Sequence, residues 1–547
     1  MIFKNLHTHL FNKACFLILL CALFASCSKK EKKLPEVAVR DTTITIENSF
    51  TELFVDSVAL NTFLKTTEND SIANQIQSFY NHRNYQFAWF FPDGLADFVP
   101  TFLGLQNDYI HYSGDSSLYN ARLVSRIDSL KLLKKINPKD TLVANTELLL
   151  TEQFFRYASK AYSGDHRINT QELNWFIPRR KINTEAFLDS LLKNKAQNLS
   201  AYEPVNRQYN LLKEKLLSYY QIKKDDAWDS LGTNTKLKEG RSYDIIPEIK
   251  RRLFALGDLP AADTTDLLDT TLTHAVKRFQ ARFGIKQDGQ IGPSFFREMN
   301  VPVQDRIQQI LINMERIRWV PAVPATDYLL VNIPEYKLHV YEDGKLFFDM
   351  NVVVGSEAHN TVIFSGTLNQ VVFSPYWNVP PSILKNEILP GIKRNKNYLA
   401  KHNMEWNGNT VRQKPGPKNS LGLVKFLFPN SYNIYLHDTP SKNLFGESSR
   451  AFSHGCIRLS EPKKLAEFLL RKDSTWTEQK ITDAMHLGKE KYVRLRGKSE
   501  IPVFIGYFTA WVDQNGQLNF RKDIYGHDKK MSERLFSAPK EELVSKN

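Results

Sequence analysis

Residues 328–355 read YLLVNIPEYKLHVYEDGKLFFDMNVVVG, and their texture decides the fold of the C-terminal half of the chain. Two apolar runs, 328–333 and 337–341, lead into Glu342-Asp343-Gly344, a hairpin signal, and 345–355 returns as a strand. Further strands are expected in VVFSPYWNV (371–379) and NIYLHD (433–438), and VFIGYFTAWVDQNGQLNF (503–520) suggests a last strand pair. Pro, Lys and Asn dominate 380–420, which reads as an irregular lobe inserted between strands. A mostly β domain therefore spans 326–526, followed by a tail at 527–547.

Upstream the period changes from strand to helix. Residues 41–235 carry helical apolar spacing, as in Leu148, Leu149, Phe154, Phe155 and Tyr157, and in Tyr209, Leu212 and Leu216. No catalytic constellation stands out there, so the region reads as a scaffold. From 237 to 300 the apolar stripes are short. Ile246, Ile249, Leu253 and Leu256 stop at Gly257, and Leu272, Ala275, Val276, Phe279 and Phe283 stop at Gly284. Asp288-Gly289 and Gly292-Pro293 turn the chain into a third short helix, giving a three-helix unit. Ile307, Ile310, Leu311, Met314 and Ile317 then mark a linker helix within 301–325. The expected class is multidomain α+β.

Composition agrees with a folded chain of several domains. At 547 residues, 42% hydrophobic and 24% charged, the sequence is neither disordered nor collagen-like. The formal charge of +14 suits an anionic surface, whether nucleic acid, acidic lipid or a carboxylate-rich polymer, and selects none of them. The N-terminus reads as an address. Lys4 and Lys13 precede the short apolar run ACFLILLCALFAS, which ends at Cys27 and is followed by SKKEKK. This resembles a bacterial lipoprotein cleavage box, with Phe24 as its one departure. It implies a signal peptide at 1–26, lipidation of Cys27 and a tether at 28–40. Cys15 and Cys21 would leave with the signal, so Cys456 remains as the one free thiol of an exported chain. A small buried hydrophobe is the bland reading of it.

Two short pieces carry chemistry. In Tyr435-Leu436-His437-Asp438, strand alternation puts Tyr435 and His437 on one face, with Ile434 and Leu436 on the other. In Ser453-His454-Gly455-Cys456-Ile457-Arg458-Leu459, the glycine permits a tight turn that presents a sulfur and backbone N–H groups. Cys–His nucleophilic catalysis needs such parts. An imidazole takes the thiol proton, and donors at the turn hold the oxyanion of a tetrahedral intermediate.

SHGCIRL, with His437 nineteen positions before Cys456, resembles the signature of the L,D-transpeptidase (YkuD) family. VNIPEYKLHVYEDGK, VVVGSEAHNTVIFSG, YWNVPPSI, PGPKNSLGLVKFLFPN and YLHDTPS resemble the large YcbB-like branch of that family. Likewise, Leu256-Gly257, Phe279-Gln280 and Asp288-Gly289-Gln290-Ile291-Gly292 resemble a peptidoglycan-binding domain. The resemblance implies Cys456 as nucleophile and His437 as general base and acid. It further implies Ser453, His454 and Gly455 around the oxyanion pocket, and no metal or other cofactor. Arg458 stands where many relatives have Asn, and it either binds a stem-peptide carboxylate or braces the loop. Tyr435 and Trp377 are candidate pocket walls, although core packing is the stronger reading of Trp377. The 380–420 insert resembles the lid lobe of the branch.

The implied reaction is 3→3 cross-linking of peptidoglycan tetrapeptide stems, with release of D-Ala. The implied partners are those stems and a membrane holding the lipid anchor, with no nucleic acid. Carbapenems are the expected covalent inhibitors. The implied location is the periplasm, with Cys27 in the outer membrane. Three other readings stay open. Water, a free D-amino acid or a protein amine could replace the stem amine as acceptor. The chain could be a wall-anchoring lipoprotein without activity. His437, Asp438, His454 and Cys456 could bind zinc, although their spacing matches no common ligand pattern.

Overall fold

The computed structural model describes residues 37–536, apart from 46, 48, 49, 202, 226, 227, 233–235, 322, 323 and 325. The signal peptide, Cys27 and most of the tether lie outside the described residues. The chain forms two compact units, one of residues 37–110, 115–159 and 183–203, the other of 111–114, 160–182 and 204–536.

The first unit is helical. Helix α1 (Asp70–His82) opens with Asn69 as N-cap, whose side chain accepts from the N–H groups of Ser71 and Ile72. Helix α2 (Thr141–Ala158) is buried on most of its circumference, which suits a central position in the unit. Its Phe154 and Phe155 pack against Phe79, Trp89 and Phe102, and all five are fully buried. At the centre lies a carboxylate. Glu147 accepts the Ala88 N–H at 2.6 Å, the Trp89 N–H at 2.9 Å and the Tyr80 hydroxyl at 2.8 Å. Burial pushes its pKa up to about 7 against these hydrogen bonds. An acid whose folded pKa is raised contributes stability that is full below its unfolded pKa and is lost as pH rises through the folded one. Glu147→Ala orphans the buried N–H groups of Ala88 and Trp89 and takes one partner from the Tyr80 hydroxyl. It is expected to destabilise this unit by about 3 kcal/mol or more and to flatten its pH dependence between about 4.5 and 7, read by urea unfolding. A variant as stable as the parent chain would show that Glu147 caps nothing of consequence.

The second unit begins with parts of the scaffold region. Residues 160–182 run to the edge of the β domain, where Trp175 bridges Ile363 in parallel and its ring meets Trp319 at 5.3 Å. Helix α3 (Arg207–Asp225) also belongs to this unit. Helices α4 (Ile246–Ala255), α5 (Thr270–Arg282) and α6 (Pro293–Met299) form the three-helix unit. The expected stripes face inward, with Ile246, Ile249, Leu253, Leu272, Val276, Phe279 and Phe295 fully buried. Each is worth about 1.5–3 kcal/mol of burial. The linker is helix α7 (Val303–Trp319), with Ile307, Ile310 and Met314 buried.

The β domain is a mixed sheet of eleven strands. Those nearest the first hairpin are β1 (Tyr328–Asn332), β2 (Lys337–Glu342) and β3 (Lys345–Gly355). Asp343 and Gly344 both take positive φ, the geometry that lets a two-residue hairpin follow the strand twist. Next come β4 (Phe364–Leu368), β5 (Gln370–Phe373), β6 (Val424–Leu427), β7 (Leu436–His437), β8 (Ala451–Ser453), β9 (Ile457–Leu459), β10 (Lys491–Arg494) and β11 (Ile501–Gly506). The sheet order is β10-β5-β6-β7-β9-β3-β2-β1-β11-β4, with β8 on the side of β3. The 380–420 insert, with Val379 just before it, has its own small core of Val379, Ile388, Met404 and Val411.

Three details differ from expectation. Residues 501–506 do not pair with 510–520 but enter the main sheet between β1 and β4. The pair at the end is β12 (Ala510–Val512) and β13 (Leu518–Phe520). Its neighbour Arg521 donates to the Arg282 carbonyl at 2.7 Å, passing over Gly284, where a Cβ would lie 2.4 Å from the arginine side chain. The expected tail starts instead as helix α8 (His527–Leu535), tied to α7 by Arg316–Asp528 at 2.6 Å. Finally, His339, outside any motif and so expected at the surface, is half-buried in β2 against Glu335 at 2.9 Å. Burial opposes both charges there, but their mutual attraction wins, holding Glu335 at about 2 and raising His339.

Candidate active site

Strand β7 lies between antiparallel β6 and parallel β9, with Leu436 opposite Ile457, and His437 between Lys425 and Arg458. Ile434, Leu436 and Ile457 are buried in the domain core, which drives this register. Alternation then sends Tyr435 and His437 to the other face. The Ile457 N–H donates to the Tyr435 carbonyl at 3.2 Å, which carries the pairing back by one residue. Cys456 is thereby brought beside Tyr435 on the face that bears His437 and Arg458. The two residues with chemistry in their motifs are diagonal neighbours, His437 on β7 and Cys456 immediately before β9.

His437 is 4% exposed, and its Nδ1 lies 2.5 Å from the Asp438 carbonyl. A carbonyl only accepts, so Nδ1 carries the proton and Nε2 keeps the lone pair. Burial, with the Arg458 and then the Lys425 charge beside it, pushes its pKa down to about 3. The imidazole is therefore neutral at neutral pH. Cys456 is half-buried, with Sγ 3.6 Å from the Asn433 carbonyl. Burial pushes its thiol up, opposed by hydrogen bonding at Tyr435 and by the Arg458 charge. The resting pair is thus thiol and imidazole, not thiolate and imidazolium.

Ser453 braces the turn. Its Oγ donates to the Cys456 carbonyl at 2.6 Å and accepts the Gly455 N–H at 3.1 Å. Gly455 sits at φ +109, where side chains are strained, although a Cβ would meet nothing nearer than 3.8 Å. Conformation, not crowding, requires the glycine. Because Ser453 takes the Gly455 N–H, that group is not free to face an oxyanion, as an oxyanion role for Gly455 would need. The Cys456 N–H has no hydrogen-bond partner among the described residues and is the turn's candidate donor. His454 points instead toward the insert, its ring 4.8 Å from His359 and its Nε2 3.9 Å from the Glu387 carboxylate.

Arg458 is half-buried, its Nε has no hydrogen-bond partner among the described residues, and its charge lies beside Cys456. The Tyr435 ring lies 5.6 Å from that of His437 and walls this face. Trp377 does not join them. It packs on the core of the insert, so of its two readings core packing fits. Asp438 is tied into the structure, accepting from Leu423 N, Thr439 N and Lys442 Nζ at 2.6–2.8 Å. Lys425, held 3.3 Å from Glu490, was not legible in the sequence because its place beside His437 depends on the register of β6.

Comparison with known proteins agrees with this geometry. Residues 326–482 match the L,D-transpeptidase catalytic domain, 74–216 a scaffold domain and 242–299 a peptidoglycan binding domain. A protein of Haemophilus influenzae, whose own assignment as an L,D-transpeptidase is provisional, is 35% identical over 246 residues, 41% of this chain. The chain matches 49%, about half, of that relative's length. Among solved structures, an L,D-transpeptidase of Stackebrandtia nassauensis is 17% identical over 49% of this chain and 98% of its own, with a TM-score of 0.19. One from Mycobacterium smegmatis is 13% identical over 33% and 58%, also with a TM-score of 0.19. Scores this low carry no argument. The domain matches do, in an order that repeats the helical scaffold, three-helix unit and β domain seen in the fold, and residues 326–482 of the chain are similar to the L,D-transpeptidase catalytic domain.

Proposed function

We propose that the chain is a murein L,D-transpeptidase that forms 3→3 cross-links through an acyl-enzyme on Cys456. The observation that carries this is the placement of Cys456 and a neutral His437 on one face of the β7–β9 pairing, beside a Cys456 N–H without a partner among the described residues. The Cys456 sulfur attacks the carbonyl carbon of the third stem residue while His437 Nε2 takes the thiol proton. The oxyanion so formed faces the Cys456 N–H. As it collapses, the bond to D-Ala breaks, and His437 returns its proton to the leaving amine. The side-chain amine of a second stem then attacks the thioester, giving its proton to His437, and the thiol is restored.

Arg458 supplies a cation for a stem carboxylate, an interaction that a guanidinium makes in two-pronged fashion. The insert at 380–420, which this reading makes a lid, approaches the nucleophile turn through Glu387 and His454. In this reading 41–235 is the scaffold, 237–300 holds glycan, 301–325 links, and 326–526 performs the chemistry. Export, lipidation at Cys27, a periplasmic outer-membrane site and acylation by carbapenems belong to the same proposal.

The test compares the chain from Ser28 onward with its Cys456→Ala variant on purified disaccharide-tetrapeptide, with products read by mass spectrometry. Dimers lacking one D-Ala, made only by the chain with Cys456, are the expected result. Tripeptide monomer alone would make water the acceptor. Binding to sacculi with no Cys456-dependent product would favour a wall anchor.

A further inference from the structure

We propose that Thr361 and Tyr525 are positioning residues that aim the Cys456 N–H for acyl transfer by holding the opposite end of the same peptide group. The inference rests on the acyl-enzyme reading above and adds two residues to it, one of them beyond the matched 326–482 segment.

The argument starts from a planar bond. The Gly455 carbonyl and the Cys456 N–H belong to one trans peptide unit and point in opposite directions. Whatever fixes the carbonyl therefore fixes the donor. Thr361 Oγ1 donates to the Gly455 carbonyl at 2.9 Å and accepts the Gly355 N–H at 2.9 Å. Its single proton is thus directed inward, away from solvent, and Thr361 is fully buried. The Cys456 N–H is left facing the other way, free of any protein partner among the described residues.

Tyr525 locks Thr361 in turn. Its hydroxyl donates to the Gly355 carbonyl at 2.7 Å and accepts the Thr361 N–H at 3.2 Å. The two hydroxyls together satisfy both polar groups of Gly355. The loop after β3 folds this tightly because residue 355 is glycine: a Cβ there would lie 2.1 Å from the His359 carbonyl oxygen and 2.7 Å from the Thr361 nitrogen. Tyr525 is itself 5% exposed, and its N–H donates to Tyr507 Oη at 2.9 Å, while Tyr507 donates to Asp523 at 2.6 Å. The C-terminal segment thus supports the nucleophile turn through Gly355 and Thr361.

The test separates acyl transfer from thiol reactivity. p-Nitrophenyl acetate acylates a cysteine through an oxyanion, whereas iodoacetamide alkylates it by displacement with none. In the full chain from Ser28, Thr361→Val and Tyr525→Phe are expected to slow acylation of Cys456 about tenfold or more. Alkylation is expected to stay within about twofold, and Thr361→Ser to keep near-parental acylation because the hydroxyl remains. Unchanged acylation in both variants, a proportional fall of acylation and alkylation, or a parent chain that the ester does not acylate would each overturn the proposal. A parent chain acylated by the ester yet silent on murein fragments would defeat the transpeptidase reading alone.

Discussion

Replacing His437 by Gln is expected to lower kcat/KM about 10²–10⁴-fold, the range a positioned base supplies. Gln can still donate to the Asp438 carbonyl that now holds Nδ1, so the strand keeps its hydrogen bond while the basic nitrogen is lost. The same residue dictates an unusual pH profile. With its pKa pushed down to about 3, chiefly by burial and then by Arg458, His437 stays a competent base far into acid. The kcat/KM of the parent chain is therefore expected to be level from about pH 5 to 7, where an ordinary histidine would give an acid limb near 6.5. Lys425→Met removes one of the depressing charges and is expected to move that limb upward. An acid limb near pH 6.5 in the parent chain would mean that His437 is solvated or paired with a thiolate, and the neutral-pair mechanism would fall.

Local pattern made part of this site legible. Strand alternation placed Tyr435 with His437, and glycine chemistry placed a turn at Cys456, because both effects act within a few residues. What joins the two segments is the parallel pairing of β7 with β9, a tertiary property without local signal. The residues that were missed share that origin. Lys425 reaches His437 through register, and Trp175 leaves a helical region to pair with Ile363. Thr361 reaches Gly455 across 94 positions of sequence, and Tyr525 reaches Gly355 across 170. Glu147 was passed over because an acid among apolar residues on a helix reads as a solvent-facing position, until its three donors are seen. His339 and the expected tail were misplaced for the same reason, since polar composition hides a side chain whose partner is distant. Gly455 was given an oxyanion role because sequence cannot show that Ser453 takes its N–H.

His527→Phe is expected to leave stability at pH 7.5 unchanged or raised, and to make the second unit about 3 kcal/mol more stable at pH 4. His527 is 1% exposed, its ring 4.7 Å from Tyr507 and 5.7 Å from Tyr525, and neither ring nitrogen meets a partner among the described residues. Burial pushes its pKa down to about 3, Arg316 and Lys530 add to this, and Asp523 opposes it. The start of α8 also disfavours a cation there. Its folded pKa thus lies below the unfolded value of about 6.5, and between the two the unfolded chain binds more protons. The stability this neutral ring contributes is present above about pH 6.5 and is lost as pH falls toward 3. Phenylalanine keeps the aromatic packing, removes two orphaned nitrogens and cannot be protonated. His437 titrates over the same window, so the variant should lose part of the acid sensitivity and not all of it. Urea unfolding at pH 7.5 and 4 reads the difference directly, and parallel losses in parent and variant would show that His527 is charged or solvated in the folded chain. Because His527 packs on the Tyr525 ring that supports the Cys456 turn, the variant also separates two causes of acid inactivation. Activity retained at pH 4 by the His527→Phe variant and lost by the parent chain would mean that the turn fails through its support, before His437 is protonated.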